Sequence, residues 1–181
     1  MRSVLLMFTF ILATGQSTHG LGLPLLLGDN GDGLVKRLHK PTGIVIHHSA
    51  TRDTSSVSFA AIRDYHIHEK HWEDIGYHIL IEDTEEGVEI FTGRGLQFEG
   101  AHAVGKNDKI GVCVVGNFDE DFISTEKYQK LLSVIRGLLM MYDNINWEGV
   151  EYHNESSEKS CPGKLFPPKS TLLSDLYIYP E

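Results

Sequence analysis

The chain has 181 residues, of which 41% are hydrophobic, and this length and composition fit one globular domain with a sizeable core. The charged residues, 16 basic against 25 acidic, give a formal net charge of −9 and a pI near 5.5. This balance argues against nucleic acid as a partner, because contacts with a phosphate backbone need clustered basic side chains.

The N-terminus has the features of an export signal. Arg2 precedes an apolar run over 4–13, which suits the core of a signal peptide but is too short for a membrane span. We therefore predict a signal peptide over 1–20, a secreted or periplasmic protein and no stable membrane span. The alternative is a membrane anchor that extends to about residue 27, although polar residues at 16, 17 and 19 interrupt the apolar run.

Glycines and aspartates over 28–33 indicate a linker, which we predict over 21–40. Their spacing resembles a calcium-binding loop, but the twelfth position counted from Asp29 is Lys40, where such a loop requires Glu. A short helical turn is predicted over 34–39. It is expected to end there, because the residue before Pro41 is disfavoured in a helix. The folded domain is predicted over 41–181.

The first predicted strand, 43–48, has two apolar faces, so we expect it at the centre of a sheet with helices on both sides. Ser56 or Ser58 is expected to cap a helix that runs to about residue 71. Three histidines lie on that helix: His66, His68 and His71. At helical spacing they do not share one face, so they are interpreted as packed or solvated residues.

Strands are predicted next over 75–81 and 88–91, joined as a hairpin by the turn at 83–87. The loops at 93–95 and 100–107 are rich in small residues and are expected to let a substrate approach the backbone. A further buried strand is predicted over 110–115.

Ser124 is predicted to cap a long helix to about residue 142, in which apolar residues recur at helical spacing. The segment 150–152 leads into a polar loop, and 170–177 is predicted as a terminal helix. Interleaved strands and helices indicate the α/β class, as a single domain with a central mixed β-sheet flanked by helices.

Two histidines and a cysteine are the candidate metal ligands. His153 and Cys161 lie eight residues apart in a polar loop, and zinc is the commonest metal that accepts both nitrogen and sulfur. The pair His47-His48 ends the first strand, and only one of the two can be a ligand because neighbours on a strand point in opposite directions. We choose His47, which gives three ligands and an open fourth position, as in a catalytic zinc site.

The second cysteine, Cys113, lies inside the apolar run 110–115 and is interpreted as a buried strand thiol. A disulfide between Cys113 and Cys161 is the alternative. We favour a core thiol and a metal thiolate, because a strand interior is the usual place for an inert cysteine.

Six segments in one order resemble the zinc-dependent N-acetylmuramoyl-L-alanine amidases, a superfamily that includes phage lysozyme-like amidases and, more distantly, peptidoglycan recognition proteins. The match covers about 43–167. The segments are IVIHHSAT (44–51), WEDIGYH (72–78), GR (93–94), GAHAVGKN (100–107), IGVCVVG (110–116) and the loop over 153–162. Several segments in order are more specific than any one of them.

The resemblance implies an amidase-like fold, with 41–181 as a zinc amidase catalytic domain. It places the ligands of one zinc ion on His47, His153 and Cys161, and the catalytic tyrosine and lysine on Tyr77 and Lys159. The phenol and the ammonium would stabilise the oxyanion that forms when the amide is attacked. Tyr77, Lys159 or a water molecule could then supply the proton that the departing amine needs.

The implied reaction is hydrolysis of the amide between N-acetylmuramic acid and L-alanine in peptidoglycan. The protein is expected to be a monomer. Arg94, His102 and Asn107 lie on matched loops and are expected to hold the muramyl-peptide substrate. One alternative is a module that binds peptidoglycan without cutting it. Another is a structural zinc domain, which would need a fourth ligand such as His48 or Asp74.

Overall fold

The computed structural model describes residues 33–52 and 57–178. The predicted signal peptide, the first part of the predicted linker and one candidate cap, Ser56, lie outside these residues. Export of the protein therefore stays a prediction. Within the described ranges, no helix is both long and apolar enough to span a membrane.

A five-stranded mixed sheet forms the centre of the fold, as expected for the α/β class. Its strands are β1 (Ile44–His48), β2 (Ile79–Thr84), β3 (Gly87–Thr92), β4 (Ile110–Val114) and β5 (Val150–Tyr152), in the order β3-β2-β4-β1-β5. β1 pairs in parallel with β4 and β5, β2 pairs in parallel with β4, and the hairpin partner β3 runs antiparallel to β2. The predicted central position of the first strand is thus confirmed.

Helices cover both faces of the sheet. The residues of β1 are all buried because one side of the strand packs with helices α2 (Thr125–Met141) and α3 (Lys169–Ile178), which supply leucines and isoleucines to the main core. A smaller apolar cluster on the opposite face includes Leu80 and Cys113, and Phe59 and Ile62 of helix α1 (Phe59–His68) pack against it. Cys113 is buried and carries a free thiol, as does Cys161.

Serine side chains begin the first two helices, as the sequence indicates. Ser58 Oγ accepts from the Ala61 amide at 3.3 Å, and Ser124 Oγ accepts from the Lys127 amide at 3.2 Å. Helix α1 ends three residues earlier than predicted, because His71 adopts a left-handed conformation with φ +56° and the Trp72 amide returns to the His66 carbonyl at 3.0 Å.

Two predictions of local structure are wrong. Residues 34–39 form no helical turn, since the Arg37 amide donates to the Gln97 carbonyl at 2.8 Å and Lys36 pairs with Phe98 as an isolated bridge. The segment that contains Gln97 and Phe98 therefore pairs with this backbone, in place of the hydrogen bonds of a helical turn. The second strand begins at Ile79 rather than at residue 75, because the Gly76 carbonyl accepts from the Ala101 amide at 3.0 Å and draws the segment towards the loop over 100–107.

Candidate metal centre and active site

The carboxyl ends of two neighbouring parallel strands bring His47 and His153 together. Ile46 of β1 lies opposite Tyr152 of β5, so the next residue of each chain segment is a histidine at the same edge of the sheet. Their ring centroids are 4.5 Å apart. Open α/β sheets commonly bind ligands at this edge, because several strands end there and their loops diverge.

The loop that follows β5 returns Cys161 to the same point. The Asn154 amide donates to the Cys161 carbonyl at 2.7 Å, which closes the loop between the second and third candidate ligands. Asp119 anchors the same loop on both sides of Cys161, because its carboxylate accepts hydrogen bonds from the Ser160 hydroxyl and from the Lys164 amide. The position of the thiol is therefore fixed from both directions along the chain.

Gly163 explains why the chain can turn so closely after the thiol. Its φ is +120°, which L side chains rarely adopt, and a Cβ atom there would overlap the backbone of Phe118. The loop therefore packs directly against the segment that also supplies Asp119.

The three predicted ligands form one cluster. A ligand atom from each of His47, His153 and Cys161 lies within 4.8 Å of the other two, and His47 Nδ1 is 3.7 Å from Cys161 Sγ. Zinc bond lengths to nitrogen and sulfur, taken with tetrahedral angles, require about 3.6 Å between such atoms. The donor set and this spacing both fit a zinc ion.

Neither candidate for a fourth ligand joins the cluster. The His48 ring faces the other way, with Nδ1 accepting from the Phe118 amide at 3.2 Å. Asp74 Oδ1 accepts from Arg63 Nε at 2.6 Å and from the Ile75 amide at 2.7 Å. Among the described residues the cluster thus offers three candidate ligands, the number in catalytic zinc sites rather than structural ones.

Burial sets the protonation of the candidate ligands. It lowers the pKa of His47 well below the ordinary value and lowers that of His153, and the nearby Lys159 ammonium adds to both effects. Burial also raises the pKa of the Cys161 thiol to about 11, although the His48 amide, 3.4 Å from the sulfur, and Lys159 act in the opposite direction. At neutral pH both imidazoles have free lone pairs, whereas the thiol retains its proton until a metal replaces it.

Tyr77 and Lys159 flank the cluster. The Tyr77 ring centroid is 5.2 Å from that of His47. Burial raises the pKa of the Tyr77 phenol well above its ordinary value, so the phenol keeps a proton that it can donate in a hydrogen bond. The Lys159 side chain is exposed, and its charge acts on all three candidate ligands. The cluster thus has a buried protonated phenol and an exposed basic side chain beside it.

Arg94 and Asn107, predicted to bind substrate, both hold loops in place. The Arg94 guanidinium is 6% exposed and donates to the carbonyls of Ile75, Glu99 and Asp74 at 3.0–3.1 Å. Asn107 Oδ1 accepts from the amides of His102 and Ala103 at 3.0 and 3.1 Å. Contact of either residue with a substrate stays a prediction, but these bonds occupy much of their hydrogen-bonding capacity.

His102 lies directly behind the metal cluster. Its Nδ1 is 3.0 Å from His47 Nε2 and its Nε2 is 3.2 Å from the Lys109 carbonyl. Burial lowers the pKa of His102 to about 4, so the ring is neutral at pH 7. No local pattern of residues predicts this contact, because 55 residues separate the two histidines.

Comparison with known proteins agrees with this site. The family described as N-acetylmuramoyl-L-alanine amidase matches residues 37–164, a range that contains the three candidate ligands, Tyr77 and Lys159. The endolysin of Escherichia phage T7 is 34% identical over 134 residues, which are 70% of this chain and 83% of the endolysin. Peptidoglycan-recognition protein 2 of Holotrichia diomphalia is 33% identical over 90 residues, 46% of either chain.

The fold is also similar to solved structures. The endolysin N-acetylmuramoyl-L-alanine amidase LysCS from Clostridium intestinale superposes with a TM-score of 0.65 at 30% sequence identity. The superposition covers 76% of this chain and 84% of that protein. The two proteins thus have the same overall fold.

Proposed function

The chain belongs to the N-acetylmuramoyl-L-alanine amidase family, and we propose that it cleaves the amide between N-acetylmuramic acid and L-alanine in peptidoglycan with the help of one zinc ion. The observation that carries the proposal is the cluster of His47, His153 and Cys161 beside Tyr77. Three nitrogen and sulfur ligands with an open fourth position suit catalysis at zinc.

Zinc held by these three residues would act as a Lewis acid on the amide and would lower the pKa of water towards neutrality. The protein contributes the alignment of the ligands. His47 and His153 are fixed by the ends of paired strands, and Cys161 is fixed by the loop bonds to Asn154 and Asp119. Such pre-organisation means that little of the site must rearrange when the substrate is bound.

Tyr77 and Lys159 supply the remaining groups for amide hydrolysis. The protonated Tyr77 phenol can donate a hydrogen bond to the oxyanion that develops on the carbonyl oxygen, and the Lys159 ammonium can approach the same oxygen from solvent. The departing L-alanine nitrogen must gain a proton, which Tyr77, Lys159 or a water molecule could supply. In this proposal the two residues act on the reacting groups without binding the metal.

The direct test is digestion of purified peptidoglycan by the mature domain with zinc, and with zinc removed by a chelator. We expect new amino-terminal L-alanine and no new reducing sugar ends, with activity lost on chelation and regained when zinc is added back. New reducing ends would identify a glycosidase. Full activity in the zinc-free protein would contradict the zinc-dependent mechanism.

Recognition of peptidoglycan without cleavage is the second candidate, because a peptidoglycan-recognition protein is among the similar proteins. The thiol of Cys161 favours cleavage, since it completes the metal cluster. A zinc-loaded protein that binds peptidoglycan and releases no peptide would establish the recognition role instead.

Zinc binding is expected to release at least about one proton near neutral pH. The raised pKa of Cys161, about 11, means that the metal-free thiol is protonated and must lose its proton to bind zinc. His47 and His153 have lowered pKa values, so their imidazoles are already neutral and bind zinc without releasing a proton. Affinity should therefore increase at least about tenfold per unit between about pH 7 and pH 9, because ionisation of water at the zinc would release a further proton, and it should decrease in acid. Calorimetry in two buffers of different ionisation enthalpy counts the protons. A pH-independent affinity over this range would contradict the thiol assignment.

We also propose that the protein acts outside the cytoplasm after removal of about the first 15–20 residues. The support is the sequence alone, namely Arg2 followed by a short apolar run. Mass spectrometry of exported protein should find a mature N-terminus within or just after this segment. An intact N-terminus in a membrane fraction would support the anchor instead.

A further inference from the structure

A series of hydrogen bonds through three groups runs from the protein backbone to the metal cluster. The Lys109 carbonyl lies 3.2 Å from His102 Nε2, and His102 Nδ1 lies 3.0 Å from His47 Nε2. The other nitrogen of His47, Nδ1, faces the Cys161 sulfur at 3.7 Å. His102 thus contacts the ligand on the side opposite to the cluster.

The chemistry of these groups assigns the proton in each of these hydrogen bonds. A carbonyl oxygen only accepts, so His102 Nε2 must carry a proton and donate it. A neutral imidazole has one donor and one acceptor, so His102 Nδ1 accepts and His47 Nε2 must be the donor. His47 Nδ1 is then unprotonated, and its lone pair points towards the cluster. The Cys161 thiol, as a donor to Nδ1, agrees with this assignment.

The His102 ring is held in a slot that depends on two glycines. A Cβ atom on Gly111 would lie 2.5 Å from His102 Cδ2, and a Cβ atom on Gly100 would overlap the same ring from elsewhere in the fold. Any side chain at either position would displace the ring, because real Cβ atoms do not approach other atoms so closely. The slot therefore fixes which atoms of the ring face His47.

The Lys109 carbonyl, at the other end of this series of hydrogen bonds, is also held in place. The Lys109 carbonyl accepts a second hydrogen bond from Arg37 Nη2 at 3.1 Å. The Lys109 ammonium is paired with Glu151 Oε1 at 2.6 Å, on strand β5 two residues before His153. The acceptor for His102 is thus tied to the strand that supplies the second metal ligand.

We propose that His102 is a positioning residue: it accepts the proton of His47 Nε2 and so keeps Nδ1 of His47 free to bind the metal. This role differs from the contact with substrate that its place in the loop over 100–107 predicts. It rests on the zinc site proposed above. Outer partners of metal-bound histidines act in this way by fixing the tautomer and the ring orientation.

The tautomer can be observed without metal and without a variant. Long-range nitrogen-15 NMR of the metal-free protein should show His47 protonated at Nε2 and unprotonated at Nδ1, and His102 likewise. The opposite tautomer at His47 would overturn the proposal even if the protein binds zinc. Failure of the parent protein to bind zinc would instead reject the proposed function, because the tautomer is measured independently of the metal.

Two substitutions separate positioning from packing. His102→Phe keeps a ring in the glycine slot but removes the acceptor, whereas His102→Asn places a carbonyl oxygen near the Nδ1 position but removes the ring. Positioning predicts that His102→Phe lowers zinc affinity about 10- to 100-fold, the usual effect of losing an outer partner, and that His102→Asn stays closer to the parent. Competition with a chromogenic chelator measures both affinities.

The other outcomes contradict the proposal. A packing role would make His102→Asn the weaker zinc binder, and a substrate role would leave both zinc affinities unchanged while the KM rises. Thermal unfolding of the metal-free variants shows whether each one is folded. If His102→Phe does not fold, the His102→Asn affinity and the parental tautomer still decide the question.

Discussion

Replacing Cys161 with serine is expected to lower zinc affinity by more than about 100-fold and to abolish measurable amidase activity. Losing an outer partner of a ligand already costs about 10- to 100-fold, and here a direct ligand is lost. A hydroxyl is a poor substitute because it is far more difficult to deprotonate than a thiol, and zinc requires the deprotonated ligand. Metal analysis after dialysis and chelator competition measure the change.

Cys113→Ser is the matched control, because it removes the other free thiol of the protein. Cys113 lies on β4 opposite His47 but is not part of the metal cluster. The control should keep one zinc ion per chain, even if burial of a hydroxyl lowers its thermal stability. Undiminished zinc occupancy in Cys161→Ser would show that the thiol is not a ligand.

Tyr77→Phe and Lys159→Ala are expected to lower kcat by about 10²–10³ each, while zinc content and fold are retained. Neither residue belongs to the metal cluster, but the Tyr77 ring lies against His47 and the Lys159 charge acts on all three candidate ligands. A donor that is aimed at the developing oxyanion acts chiefly in the transition state, so kcat should fall more than KM rises. Steady-state kinetics on a soluble muramyl-peptide would separate the two parameters.

Matched controls exist for both substitutions. Tyr65→Phe removes the hydroxyl of a half-exposed tyrosine on helix α1, and Lys164→Ala removes an exposed ammonium three residues after Cys161. Both controls should retain parental turnover. Parental rates in Tyr77→Phe and Lys159→Ala with zinc fully loaded would show that the assigned roles are wrong.

The apolar runs of the sequence determined the main elements of the fold. Continuous burial of 43–48 and 110–115 predicts central strands, and Ser58 and Ser124 mark two helix starts, because each of these signals depends only on residues close in the chain. Ligand chemistry likewise identified His153 and Cys161, which one short loop brings together. The predicted helical turn over 34–39 failed because its partner lies some 60 residues away, at 97–99.

Only the tertiary structure decided how the site is assembled. The order β4-β1-β5 and the register of Ile46 with Tyr152 place His47 beside His153, and the same sheet brings His102 within 3.0 Å of His47 from 55 residues away. Local periodicity encodes which side chains are buried, but it does not encode which buried side chains meet. That depends on strand pairing and on close backbone approaches such as those at Gly100 and Gly111, which form only when the whole sheet is packed.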